Sequence, residues 1–190
     1  MESVSTARLC HADQSALLVV DIQNRLTAAM PAKVLARIQR NVETLLKAAD
    51  LLQIPVIATE QYPKGLGSME PSLVELLPKG ARRYEKTTFS CAGAPDFVSD
   101  FELLKRKQII LTGMETHVCV LQTALDLMQL GATVFVVADA VCSRHRDNYE
   151  VAIQRMAAEG IIVSVTESIL FEWLQDSKHE SFKDIQARIR

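Results

Sequence analysis

The sequence predicts a doubly wound, Rossmann-like α/β fold: one domain built on a six-stranded, mostly parallel sheet with helices on both faces. Three observations carry that expectation. Short runs rich in branched apolar residues recur along the chain, as strands buried on both faces require. Amphipathic helical patterns alternate with them, and the spacers are long enough for right-handed crossovers between parallel strands. A chain of 190 residues fits a single core of this kind, and such a core needs no disulfide or metal to hold it together.

The first run, "ALLVV" at 16–20, predicts the first strand. Over 33–53 the residues Val42, Leu45, Leu46, Ala49 and Leu52 share one stripe of a helix that Pro55 stops. "PVIA" at 55–58 is the second strand, and "RRYEK" at 82–86 is a weaker one. A helix fits 95–106, followed by a strand at "IILT", 109–112. A helix over 118–130 ends at Gly131, and "TVFVVA" at 133–138 is the fifth strand. A helix over 147–159 ends at Gly160; both glycines stand where a left-handed cap is needed. "IIVSV" at 161–165 closes the sheet, and the tail "SKHESFKDIQARIR" reads as a surface helix over about 179–189. The expected domain is 1–190, with its core at about 15–170.

Charge and composition narrow the partners. The net charge of −2 comes from 21 basic and 23 acidic residues mixed along the chain, so no basic face predicts binding to nucleic acid or to an anionic membrane. The opening "MESVSTARLCHADQ" lacks the apolar run of a secretory signal, and no segment approaches the roughly 18 apolar residues of a membrane span. The reading is a soluble cytoplasmic protein with a small-molecule substrate. Four cysteines, at 10, 91, 119 and 142, form no CxxC pair and are expected to be reduced thiols. An apolar composition of 48% with few aromatics leaves helix faces to cover, and a homo-oligomer is expected.

In a doubly wound sheet ligands bind beyond the carboxyl ends of the strands. The loops to inspect are "DIQN", "TEQYPKGLG", "KTTFSC", "GMETHVC" and "DAVCSRHRDN". Three residues in them bear chemistry. Asp21 follows the first strand directly, Lys86 ends the third, and Cys119 stands where a helix is expected to begin. Taken singly, Asp21 reads as a turn or helix cap, Lys86 as a solvated edge residue and Cys119 as small core packing. Taken together they gather at one end of one sheet. A thiol at a helix start is favoured as thiolate, and a nearby lysine adds to that effect.

"LLVVDIQN", "VIATEQYPKGLG", "YEKTTFSC" and "LTGMETHVCV" resemble the successive motifs of the isochorismatase-like superfamily of cysteine hydrolases, over about residues 15–170. "TEQYPKGLG" and "FKDIQARIR" are most similar to the isochorismatase-domain-containing proteins of undefined substrate. The resemblance implies Cys119 as nucleophile, Asp21 as its base and Lys86 as the cation that orients both. It also implies a cis peptide between Met114 and Glu115, with the backbone N–H groups of Glu115 and Cys119 as an oxyanion hole. The implied reaction is two-step acyl transfer through a thioester on Cys119, cleaving a small amide, imide or ester, with carbon–nitrogen bonds as the class-level expectation. Gln23, Tyr62 and Phe89 stand beside these residues as substrate-binding candidates.

No metal and no cofactor is expected. The superfamily's nicotinamidases bind a metal through Asp-x-His after the second strand, where this chain reads "TEQYPKGLG", and no histidine occurs between 11 and 117. True isochorismatases typically lack a cysteine at the nucleophile position, so Cys119 argues against vinyl ether cleavage. "KGLGSME" lacks the third glycine and the Lys-Ser or Lys-Thr of a phosphate loop, which leaves nucleotide binding as the weakest reading. His117 reads as a structural or pocket-edge residue, and Arg144, His145 and Arg146 as a charged loop able to meet a carboxylate. Cys91 or Cys142 could pair with Cys119. The rival to a hydrolase is a catalytically silent interaction or redox-sensing protein on the same fold.

Overall fold

The computed structural model describes residues 8–189, so the opening residues of "MESVSTARLCHADQ" and the outermost ends of the expected 1–190 domain lie outside the described residues. The sheet has six strands in the order β3-β2-β1-β4-β5-β6, and every pairing is parallel. β1 (Ser15–Val20), β2 (Val56–Gln61) and β4 (Gln108–Met114) are buried along their whole length. That is why they read as unbroken apolar runs rather than as alternation. β3 (Arg82–Lys86) is an edge strand whose residues alternate in exposure and keep charges on the open side.

Helices cover both faces. One core packs Leu17, Val19, Ile110, Phe135 and Val137 under α1 (Ala32–Leu51). The other packs Leu18, Val20, Ile109, Leu111 and Val136 under α2 (Phe97–Leu104), α3 (Leu121–Gln129) and α4 (Arg146–Ala158). Alternate residues of β1 and β4 therefore serve opposite cores, as the pleat dictates. β5 (Thr133–Cys142) runs four residues past the predicted strand. It does so across a register shift in β4 between Leu111 and Gly113, which sets Val141 and Cys142 beside Gly113 and Met114. β6 is short (Ile162–Ser164).

Three parts of the sequence reading need correction. The segment predicted as a helix from 118 begins as a π-helical turn, Thr116–Val120, before α3. A helix absent from the prediction, α5 (Thr166–Leu174), buries Ile169, Leu170, Trp173 and Leu174 on the α1 side. The terminal helix α6 is only Phe182–Gln186, with Ile185 buried. Among the described residues no helix is long and apolar enough to cross a membrane.

The strand order reverses between β1 and β4, which opens a crevice at their carboxyl ends. Gly113 pairs with Val20 at this place. Its φ is +114°, and a Cβ there would stand 2.0 Å from the Val20 carbonyl oxygen. Only glycine lets β4 approach β1 closely enough at that point.

Candidate active site

Asp21 leaves β1 with φ +50°, an uncommon conformation that Asp tolerates better than most residues. Its backbone N–H donates to the Thr59 carbonyl at 3.1 Å, and its side chain is fully buried. The Thr59 hydroxyl donates to Oδ1 at 2.7 Å and Lys86 Nζ donates to Oδ2 at 2.6 Å. Lys86 reaches Asp21 across the end of β2, since β2 lies between β3 and β1. Its ammonium also donates to Gln61 Oε1 at 2.7 Å and to the Phe89 carbonyl at 3.0 Å. Both members of the ion pair are fully shielded from solvent. Two charges removed from water cost several kcal/mol each unless they are paired and hydrogen-bonded, and these are both.

Cys119 joins the pair from the turn after β4. It is 6% exposed, and its thiol is pushed well above the usual cysteine range. Burial is the largest cause, followed by the charge of the Asp21 carboxylate, and Lys86 opposes the shift. This corrects the expectation of a thiolate favoured at a helix start. Cys119 lies inside the Thr116–Val120 turn, ahead of α3, and faces a carboxylate in a dry setting, so at rest it carries a proton that Asp21 is placed to take. All four cysteines are free. Cys142 belongs to the opposite core from Cys119. Cys91 lies in the same core as Cys119, its sulfur 3.6 Å from the Thr59 hydroxyl.

The other candidates divide. Gln23 is fully buried and its amide is spent on backbone. It accepts from the Gln61 N–H at 2.7 Å and donates to the carbonyls of Gln61 and Gly67 at 3.0 and 2.6 Å. Its place is therefore that of a strut between β2 and the following loop, with no free polar atom for a ligand. Tyr62 is half exposed at φ +37° and lines an open cavity of about 420 Å3 together with Lys64, Lys86 and Thr87. Phe89 is equally exposed and stands outside that lining. Thr59 and Gln61, which hold Asp21 and Lys86, went unnoticed in the sequence reading. The signal available was only that both are polar residues in the second half of a buried strand.

A model of the isochorismatase domain matches residues 15–168. The chain belongs to the isochorismatase family of hydrolases. It is 37% identical over 172 residues to isochorismatase domain-containing protein 2 of Danio rerio, covering 90% of this chain and 85% of that one. Among solved structures it is similar to the MAR1 ribonuclease from Caenorhabditis elegans, at 37% identity and a TM-score of 0.89, covering 96% and 92% of the two chains. It is also similar to YcaC from Pseudomonas aeruginosa, solved with hexane-2,5-diol and covalent acrylamide, at 26% identity and a TM-score of 0.89, covering 97% and 93%.

Around the cysteine, this isochorismatase-family chain has a cis peptide between Met114 and Glu115, as the resemblance implied. The Glu115 carboxylate accepts from the backbone N–H of Arg144 at 2.9 Å and pairs with its guanidinium at 3.1 Å. His117 does not serve Cys119. Its Nδ1 meets the Ser143 hydroxyl at 3.0 Å and its Nε2 meets the Asn148 amide nitrogen at 3.3 Å. The turn carrying Cys119 is thus tied at two points to the loop after β5. His145 is the residue before α4, and Arg146 pairs with Glu150.

Proposed function

We propose that the chain is a cysteine hydrolase that cleaves a small amide, imide or ester through a thioester on Cys119. The observation that carries this reading is the fully buried Lys86–Asp21 pair, 2.6 Å apart, set against a protonated thiol. A fold gains little stability from such a pair compared with apolar packing, and a strongly perturbed thiol such as that of Cys119 is the kind of group that concentrates where chemistry is done. Asp21 takes the proton of Cys119 as the sulfur attacks the carbonyl carbon. The oxygen that becomes negative is held by the N–H groups of Glu115 and Cys119. Asp21 returns the proton to the departing nitrogen or oxygen, and the carbon–sulfur bond of the thioester remains. Water then attacks, Asp21 removes one of its protons, the acid leaves and the thiol is restored. Lys86 stays charged throughout and balances Asp21.

The reaction as written needs no metal ion. The end of β2 carries Glu60, Gln61, Tyr62 and Pro63 in place of an Asp-x-His pair, and Gln61 is committed to Lys86 and to the Thr87 carbonyl. Four free buried thiols suit a reducing, cytoplasmic setting.

The test is a panel of activated esters, primary amides and imides, with an RNA oligonucleotide added because of the nematode relative. Rapid quenching and peptide mass analysis should place the acyl group of an active ester or amide on Cys119, and Cys119→Ala should abolish its turnover. Equal turnover by Cys119→Ala, or RNA cleavage with no small-molecule activity, overturns the reading. A protein inert to the whole panel whose thiol only oxidises supports the redox-sensing alternative.

A further inference from the structure

A second cavity, of about 370 Å3, lies at the end of β5, between the start of α1 and the start of α4. That volume is in the range of small-ligand sites. Its lining includes Arg37 from α1, Ser143 and Arg144 from the loop after β5, and Arg146 and Tyr149 from α4. Pro31, Val34 and Cys142 give it an apolar side, and Glu150 is its acidic group. The cavity does not include Asp21, Lys86 or Cys119.

The donors in this cavity exceed the acceptors. Arg144 is paired with Glu115 and Arg146 with Glu150, while Arg37 has no salt-bridge partner among the described residues. Arg37 is the one guanidinium of the three lining the cavity that these carboxylates leave unpaired. Ser143 adds a neutral donor. The amide nitrogen of Asn148 can only donate, so Nε2 of His117 accepts from it, and Nδ1 must carry the ring proton. That proton goes to the Ser143 oxygen, and the Ser143 hydroxyl proton is left to donate. Ser143 is 5% exposed, and a buried hydroxyl with an unspent proton wants an acceptor. The Tyr149 hydroxyl is already used on the Ala138 carbonyl at 2.8 Å.

We propose that this cavity binds a small anion, a carboxylate or a phosphate, through Arg37, Arg144 and the Ser143 hydroxyl. The planar guanidiniums suit the paired oxygens of either group. Because Arg144 also holds Glu115, an occupant is coupled to the turn that carries Cys119. This inference stands apart from the acyl-transfer reading, since it needs neither thiol nor carboxylate of that site.

The experiment titrates inorganic phosphate and malonate into the full-length protein, reading the thermal unfolding midpoint and heat of binding, with sodium chloride at matched ionic strength as reference. A saturable rise in the midpoint is expected with at least one of the two anions, and which of them acts distinguishes the phosphate from the carboxylate source. Arg37→Ala should weaken the binding about tenfold. Lys33→Ala, which removes the same charge from the same helix outside the cavity, should leave it unchanged. The inference is overturned if neither anion shows saturable binding, if Arg37→Ala binds as the wild type does, or if Lys33→Ala loses as much.

Discussion

Asp21→Asn should cost about 3–5 kcal/mol of folding stability, although the side chain keeps its shape. The asparagine still accepts from Thr59 at the Oδ1 position, so that bond is not the source of the loss. What changes is that Lys86, with its side chain fully buried, loses the anion that made its burial tolerable. The remaining acceptors, Gln61 Oε1 and the Thr88 and Phe89 carbonyls, are neutral. Adding Lys86→Met should recover part of the stability, because the unpaired ammonium goes with it. Urea unfolding of the wild type, the single and the double variant checks this. A single variant within about 1 kcal/mol of the wild type would mean that the pair is not buried as described.

Gly113→Ala should destabilise the fold by about 3 kcal/mol or more, from a change of one methyl group. Two effects add. The backbone at φ +114° is one that alanine rarely adopts, and the new carbon would meet the Val20 oxygen at 2.0 Å. Neither atom of Val20 nearest the clash belongs to a flexible side chain, so relief requires β1 and β4 to separate. Separation would displace Asp21 from the turn after β4. Gly131→Ala offers the comparison: its φ is +86° but a Cβ there meets nothing within 4 Å. It should cost only about 1 kcal/mol, from conformation alone. Both values come from denaturant titration; equal losses at the two glycines would remove the close approach as the cause.

Much of the fold was legible because burial on both faces writes itself as continuous apolar runs. β1, β2 and β4 were found for that reason, and the stripe of Val42, Leu45, Leu46 and Ala49 marked α1. α5 was missed although Ile169, Leu170, Trp173 and Leu174 make an inward face, because its nine residues directly follow a strand with no proline or glycine between them. At the site, Asp21, Lys86 and Cys119 were found by their places at strand ends, and the structure brings them together. Gln23, Thr59 and Gln61 act through hydrogen bonds to groups about 40 residues away. No periodicity records such contacts. The protonation of Cys119 was also illegible, because helix-end placement argues for a thiolate while burial beside Asp21, which decides it, is a tertiary fact.

The central claim is that Asp21 receives the proton of Cys119, and the pH dependence of Cys119 alkylation by acrylamide tests it most directly. The thiol stays protonated through neutral pH, so reaction must draw on the small population in which the proton has passed to Asp21. That population does not change with pH, and the wild-type rate should be flat from about pH 6 to about pH 9. Asp21→Asn has no internal acceptor, and its rate should rise about tenfold per pH unit over the same range. Cys10, Cys91 and Cys142, each at most 1% exposed, serve as slow internal references. A flat wild-type profile that turns steep in Asp21→Asn supports the account. A wild-type profile as steep as that of the variant, or labelling of Cys119 no faster than of Cys10, contradicts it.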